Sequence, residues 1–171
     1  MFLNPNDILD QMGLTNEMKA ADFGSGSGGW AISLAKKLKD GSVLAIDLQE
    51  EPLSVLMSEA KHQGIGNIKP LVADLEKPVT GLLAGSCDFV LICNVLFQVD
   101  DKSSVLSEAF RALKSGGTML IVEWKLETPL GPKDSRLSVS EVEELALSAG
   151  FTLQKDLPAG LYHFALLFKK L

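Results

Sequence analysis

The segment ADFGSGSGGWAISLA (21–35) decides how this chain is read. Taken alone, G-S-G-S-G-G at 24–29 has the composition of a flexible linker. Its flanks argue otherwise, because MKAADF (18–23) reads as a strand and WAISLAKKL (30–38) has helical spacing. A glycine loop between a strand and a helix is a ligand cradle. Gly24, Gly26 and Gly28 let the chain turn sharply and bring bare backbone against a bound molecule. The helix starting near Gly29 adds free N–H groups and the positive end of its dipole, which favour a carboxylate or a phosphate.

Working outward, short apolar runs alternate with helical stretches. GSVLAID (41–47) is a β-rich run, and EEPLSVLMSEAKHQG (50–64) opens on acids and a proline and closes on glycine, as helices do. NIKPLVAD (67–74) reads as a third strand whose Pro70 argues for an irregular or edge position. CDFVLICNVL (87–96) is a continuous apolar run, as in a strand buried on both faces. A helix over about 101–114 ends in a KSGG turn (114–117), and TMLIVEW (118–124) is the fifth strand. Strand and helix repeated four times predict right-handed parallel crossovers in an open α/β sheet. The tail breaks that rhythm. After the helix at 138–150, FTLQKD (151–156) and LYHFALLFKK (161–170) are separated only by LPAG, too short for a parallel crossover, so they predict an antiparallel hairpin. NPNDILDQM (4–12) has room for one short helix, and LETPLGPKDSR (126–136) reads as a loop long enough to be functional.

Composition bounds the function. The chain has 171 residues, 46% hydrophobic and 22% charged, and predicts a single domain over 1–171. A net charge of −6 disfavours nucleic acid as a partner. No apolar run reaches the roughly 20 residues of a membrane span, and MFLNPNDILDQ lacks a basic start and a long apolar core. These features predict a cytoplasmic protein with no membrane contact. Cys87 and Cys93, six apart on one strand, would share a face and lie roughly 20 Å from each other, too far to bridge. Neither they nor His62 and His163 have metal-site spacing, so no metal is expected.

The glycine spelling satisfies G-x-G-x-x-G with Asp47 23 residues after Gly24, the fingerprint of a dinucleotide-binding oxidoreductase. It equally satisfies G-x-G-x-G with an acid, Asp22, two places before the first glycine. The rest of the chain favours the second. ADFGSGSG (21–28), AIDLQ (45–49), VADLE (72–76), CDFVLICNVLFQV (87–99) and FRALKSGGTMLIVEW (110–124) together resemble the motifs of class I S-adenosylmethionine-dependent methyltransferases, in the group that includes the quinone-biosynthesis enzymes. Ser115 stands where that family usually has proline.

The resemblance implies a Rossmann-like three-layer sandwich, with a mostly parallel seven-strand sheet in the order 3-2-1-4-5-7-6 and strand seven antiparallel. It implies that Gly24, Ser25, Gly26 and Gly28 cradle S-adenosylmethionine and its product S-adenosylhomocysteine, with Asp22 toward the methionine ammonium. Asp47 would accept from the ribose hydroxyls, Leu48 and Leu75 would flank the adenine, and Asp74 would accept from the adenine amine. Asn94 would lie near the methionine end. Read singly, Asp47 is also a helix cap, Asp74 a turn residue and Asn94 a strand terminator.

Methyl transfer by in-line displacement asks mainly for positioning, so catalytic residues are less legible. Glu123, Lys125 and His163 are the catalytic candidates, and Phe97, Gln98 and Arg136 the candidates for binding a small-molecule acceptor. With little sequence for a lid, the acceptor pocket is expected to be shallow and a homodimer partner has room to complete it. A binding module that holds the cofactor without catalysis is the main alternative.

Overall fold

A computed structural model describes residues 3–79 and 81–171. In chain order the elements are α1 (Pro5–Leu9), β1 (Lys19–Phe23), α2 (Gly29–Lys37), β2 (Ser42–Asp47), α3 (Glu50–His62), β3 (Ile68–Val72) and β4 (Cys87–Cys93). They continue with α4 (Lys102–Ala112), β5 (Leu113–Trp124), α5 (Val139–Ser148), β6 (Phe151–Leu157) and β7 (His163–Lys170). The sheet has seven strands in the order β3-β2-β1-β4-β5-β7-β6. β7 runs antiparallel to both β5 and β6, and the other pairings are parallel. Pro70 sits in β3, the edge strand, where a missing N–H costs least.

Local chemistry sets the helix ends. Ser138 and Glu141 form a reciprocal capping box at α5, and Asp101 caps α4 by accepting from Ser104 N at 3.0 Å. Strand alternation then divides the core in two. Phe23, Val90, Ile92, Met119, Ile121 and Phe168 meet α4 and α5 on one face. Ala20, Phe89, Leu91, Leu120 and Val122 meet α1, α2 and α3 on the other. Phe23, Phe89 and Phe168 are fully buried, each contributing about 1.5–3 kcal/mol by burial.

Three expectations change. The β3–β4 connection (73–86) has no helix among its described residues, so the alternation fails there once. Pro78 and the positive-φ glycines Gly81 (φ 100°) and Gly85 (φ 60°) break any helical run. Tertiary contacts replace the helix: Val79 N donates to Glu108 Oε1 at 3.1 Å, and Arg111 Nη2 donates to Leu82 O at 2.6 Å. The fifth strand begins at Leu113 rather than after a KSGG turn, because that stretch is absorbed as an irregularity. Cys87 pairs with Leu113 while Phe89 pairs with Thr118. The alternation argument for the cysteines fails at the start of β4, where this irregularity lies. Cys87 joins the α4–α5 core and Cys93 the opposite one, both as free thiols.

Candidate cofactor cleft at the carboxyl edge

The carboxyl ends of β1 to β4 open onto a cleft of about 470 Å³. Gly24, Gly26, Asp47, Leu48, Asp74, Leu75, Asn94 and Gln98 all line it, brought together from four strand ends. Open α/β sheets bind ligands along that edge, in the crevice where the strand order reverses.

The glycine loop is fixed from beneath. Gly24 N and Ser25 N both donate to Ile46 O, at 2.8 and 2.9 Å. Gly24 adopts φ 72° and Gly28 φ 94°. A Cβ on Gly24 would stand 2.4 Å from Val95 Cγ2, and one on Gly28 would stand 2.0 Å from Leu56 Cδ1, so neither position accepts a side chain. Gly26 differs. It adopts φ 52°, and a Cβ there would meet nothing within 4 Å. Space is left over the loop where a ligand would lie.

Behind the loop two polar atoms are buried without partners, Asp22 Oδ2 and Ser25 Oγ. Asp22 is 2% exposed. Burial, reinforced by the nearby Asp47 carboxylate and opposed by a hydrogen bond from the Ala31 backbone, pushes its pKa up to about 7. An unsatisfied buried carboxylate oxygen is costly, and a donor arriving at the loop would relieve it. This is the chemistry an ammonium group fits.

The two acids farther along the cleft are built alike. Asp47 Oδ1 accepts from Gln49 N at 3.0 Å, and Asp74 Oδ1 accepts from Glu76 N at 3.0 Å. The tripeptides Asp47-Leu48-Gln49 and Asp74-Leu75-Glu76 thus make the same turn after successive strands, and Gln49 and Glu76 line the cleft too. The repeat stands in the sequence as an acid, a leucine and a glutamine or glutamate after each strand. Asp47 Oδ2 also accepts from Gly26 N at 2.9 Å, tying the second acid to the glycine loop. The N-cap of α3 is Gln49, not Asp47. Asp74 Oδ2 pairs with Lys77 Nζ at 2.7 Å, and that hydrogen bond holds its pKa below the usual carboxylate range. Leu48, 66% exposed, offers apolar surface at the mouth. Cys93 and Val95 line the cleft without any sequence signal, and burial raises the Cys93 thiol well above its ordinary value.

Of the remaining candidates, all but Gln98 lie outside the lining. Phe97 does not reach the cleft, whereas Gln98 does, its Nε2 donating to Asn94 O. Glu123 is 1% exposed and its Oε1 accepts from Val95 N (3.0 Å) and Leu96 N (2.7 Å). Burial raises its pKa to about 7 against those two bonds. Lys125 Nζ donates to Gly160 O at 3.2 Å. Arg136 donates to the carbonyls of Lys125, Leu126, Thr128, Leu130 and Pro132, closing the 126–136 loop on itself. His163 is 7% exposed and stacks on Trp124, ring centroids 3.9 Å apart. Burial, with Lys125 and Arg136 nearby, lowers its pKa. Among the described residues no cluster of three or more His, Cys, Asp or Glu is arranged to hold a metal, and no helix is long and apolar enough to cross a membrane.

Comparison with known proteins agrees with this geometry. Residues 20–117, more than half of the chain, match the family model described as a methyltransferase domain. The demethylmenaquinone methyltransferase of Geobacillus kaustophilus (strain HTA426) is 31% identical over 127 residues, 73% of this chain and 53% of that protein. Methyltransferase str2 of Strobilurus tenacellus is 32% identical over 118 residues, 68% of this chain and 40% of that protein. The chain therefore spans about half the length of the curated relatives it matches. Among solved structures, a SAM-dependent methyltransferase from Aquifex aeolicus superposes with a TM-score of 0.91 at 25% identity, covering 99% of this chain and 91% of that one. The [4+2]-cyclase SpnF superposes at 0.84 with 13% identity over 96% of this chain and 79% of that one, a likeness of fold alone. On the family match and the motif-bearing cleft together, this chain belongs to the class I S-adenosylmethionine-dependent methyltransferases.

Proposed function

We propose that residues 1–171 form one cytoplasmic methyltransferase domain that transfers a methyl group from S-adenosylmethionine to a small-molecule acceptor. The observation that carries this reading is the unpartnered, buried Asp22 Oδ2 behind a glycine loop with open space over Gly26. Bound in the cleft, S-adenosylmethionine supplies a methyl group on a sulfonium, with a neutral thioether as leaving group.

The chain's own residues then have distinct tasks. Asp22 holds the ammonium, and the backbone of Gly24, Ser25 and Gly26 lies against the methionine portion and ribose. Gly28 keeps the turn into α2 free of a side chain. Each oxygen of Asp47 already accepts one backbone N–H and retains a second lone pair for a ribose hydroxyl. Leu48 and Leu75 flank the adenine, and Asp74 accepts from its exocyclic amine. Asn94 lies at the methionine end. Gln98 faces the acceptor side of the cleft. Orientation of the acceptor and exclusion of water account for the rate, since displacement from a sulfonium needs little further help.

Demethylmenaquinone methylation belongs by name to some of the relatives, not to this chain. For this chain the acceptor class proposed is a small molecule. Calorimetric titration with S-adenosylmethionine, S-adenosylhomocysteine and NAD tests the cleft. Micromolar binding of the two adenosyl ligands without NAD supports the reading, and NAD binding alone would replace it with an oxidoreductase.

A second reading, a cofactor-binding module without catalysis, draws on Glu123 and Arg136. Both are engaged with backbone groups rather than directed at the cleft. Formation of S-adenosylhomocysteine across a panel of small nucleophiles separates the two.

A further inference from the structure

We infer that His163, which lies outside the cleft lining, is a positioning residue for the amino-acid end of the adenosyl ligand, acting through Asn94. The inference rests on the assignment of the cleft proposed above. Asn94 ends β4 in the left-handed region, φ 57°, a conformation that asparagine tolerates better than most residues. Its backbone is held on both sides: its N–H donates to Val122 O at 2.8 Å, and its carbonyl accepts from Gln98 Nε2. The side-chain amide is the remaining variable.

That amide faces one group. Asn94 Nδ2 lies 3.4 Å from His163 Nε2, and Asn94 Oδ1 and His163 Nδ1 are both buried without partners. A neutral imidazole with its proton on the unpartnered Nδ1 and its lone pair on Nε2 takes the amide's donor side, which leaves Oδ1 as an unengaged acceptor beside the cleft that Asn94 lines. The charged groups acting on His163 are Lys125 and Arg136, both cations, and with burial they hold the ring neutral. The ring itself is fixed. It stacks on Trp124 with an interplanar angle of 37°, and Gly131 backs the indole so closely that a Cβ there would lie 2.7 Å from it. His163 thereby sets the polarity of the Asn94 amide: acceptor toward a ligand ammonium, donor toward itself. Without His163 the amide is free to turn and present its own N–H groups to that cation.

Two ligands separate this role from a general structural one. S-adenosylhomocysteine carries the amino-acid end, and 5′-methylthioadenosine lacks it. In H163L, affinity for S-adenosylhomocysteine is expected to fall about tenfold, with that for 5′-methylthioadenosine held within about twofold. H163Q, whose amide oxygen can accept from Asn94, restores S-adenosylhomocysteine to within about threefold. N94G keeps the backbone conformation, removes the amide and reproduces the selective loss, so it reads the same pair if H163L fails to fold. In the N94G background H163L should add less than a twofold change. An unchanged S-adenosylhomocysteine affinity in H163L, or equal losses for both ligands, overturns the inference while leaving the cleft assignment intact. If the wild-type protein binds no S-adenosylhomocysteine, the cleft assignment fails and this inference falls with it.

Discussion

The two halves of the sheet's carboxyl edge use their polar residues in opposite ways. Beside β1 to β3, Asp22 and Ser25 keep buried acceptors without partners, and Gly26 leaves open space. Beyond β5, Arg136 is engaged with five loop carbonyls, Glu123 with two amides and Lys125 with Gly160 O. Both halves look equally functional as sequence, since each has charged residues at strand ends. The difference lies in the charged side chains: those of the second half are held by backbone groups, although His163 Nδ1 there is also buried without a partner. Leaving a buried polar group unpaired is expensive, so such groups persist where a ligand completes them. A satisfied arginine or glutamate organises the protein instead.

The comparison can be broken most forcefully at Gly26. Gly26→Val places a side chain in the open space over the loop, and S-adenosylhomocysteine binding should fall beyond a thousandfold, more than about 4 kcal/mol. Retained binding by calorimetry would mean that the ligand lies elsewhere.

Asp22 gives the next effect, in stability as well as binding. Its folded pKa, about 7, lies above the 3.8 of an ordinary aspartate. The folded state therefore holds the extra proton between those values, and stability falls as pH rises from about 4 to about 7. Ionisation in the ligand-free protein then costs on the order of 2–4 kcal/mol above pH 7. Asp22→Asn should flatten that part of the pH profile of thermal unfolding and raise the melting temperature at pH 8. The same variant should lose affinity for S-adenosylhomocysteine. In the wild type that affinity should decline as pH drops through about 7, because a protonated Asp22 no longer attracts an ammonium. A melting temperature that rises between pH 5 and 8 in the wild type, or a profile left unchanged by the substitution, contradicts the buried-acid assignment.

Asp47→Ala removes a carboxylate that bridges Gly26 N and Gln49 N, and should weaken adenosyl-ligand binding by about 1.5–3 kcal/mol. Affinity unchanged in a folded variant would remove Asp47 from the ribose assignment. The smallest effect sharpens the other half. Arg136→Lys keeps the charge but loses the planar fork, so the 126–136 loop should be destabilised by about 1 kcal/mol. Proteolytic nicking of that loop should accelerate while S-adenosylhomocysteine affinity stays within about twofold. A large loss of affinity would place Arg136 in the cofactor site after all.

Much of this was legible because parallel α/β architecture is written in local pattern. The glycine loop between strand and helix, the acids after β2 and β3, and the short LPAG link each express a local constraint. Three features were not. The β3–β4 connection reads as one more crossover until Pro78, Gly81 and Gly85 are weighed against the contacts from Glu108 and Arg111, which hold it without helical hydrogen bonds. The cysteines join different core clusters, Cys87 lying at the start of β4 where its pairing with β5 is irregular. The roles of Glu123, Arg136 and His163 depend on partners 4 to 69 residues away, and no spacing rule reaches them.

By itself the sequence determined the parallel crossovers, the terminal hairpin and the place of the ligand loop, while the strand order was implied only by the family resemblance. Those follow from periodicity, turn residues and connection length, which act over a few residues. Tertiary structure alone decided which polar atoms are satisfied. That is a property of the whole neighbourhood, because a hydrogen bond requires donor and acceptor from different elements to arrive at the same point. It distinguishes Asp22, buried with an oxygen unpaired, from Glu123, buried with its Oε1 held by two amides.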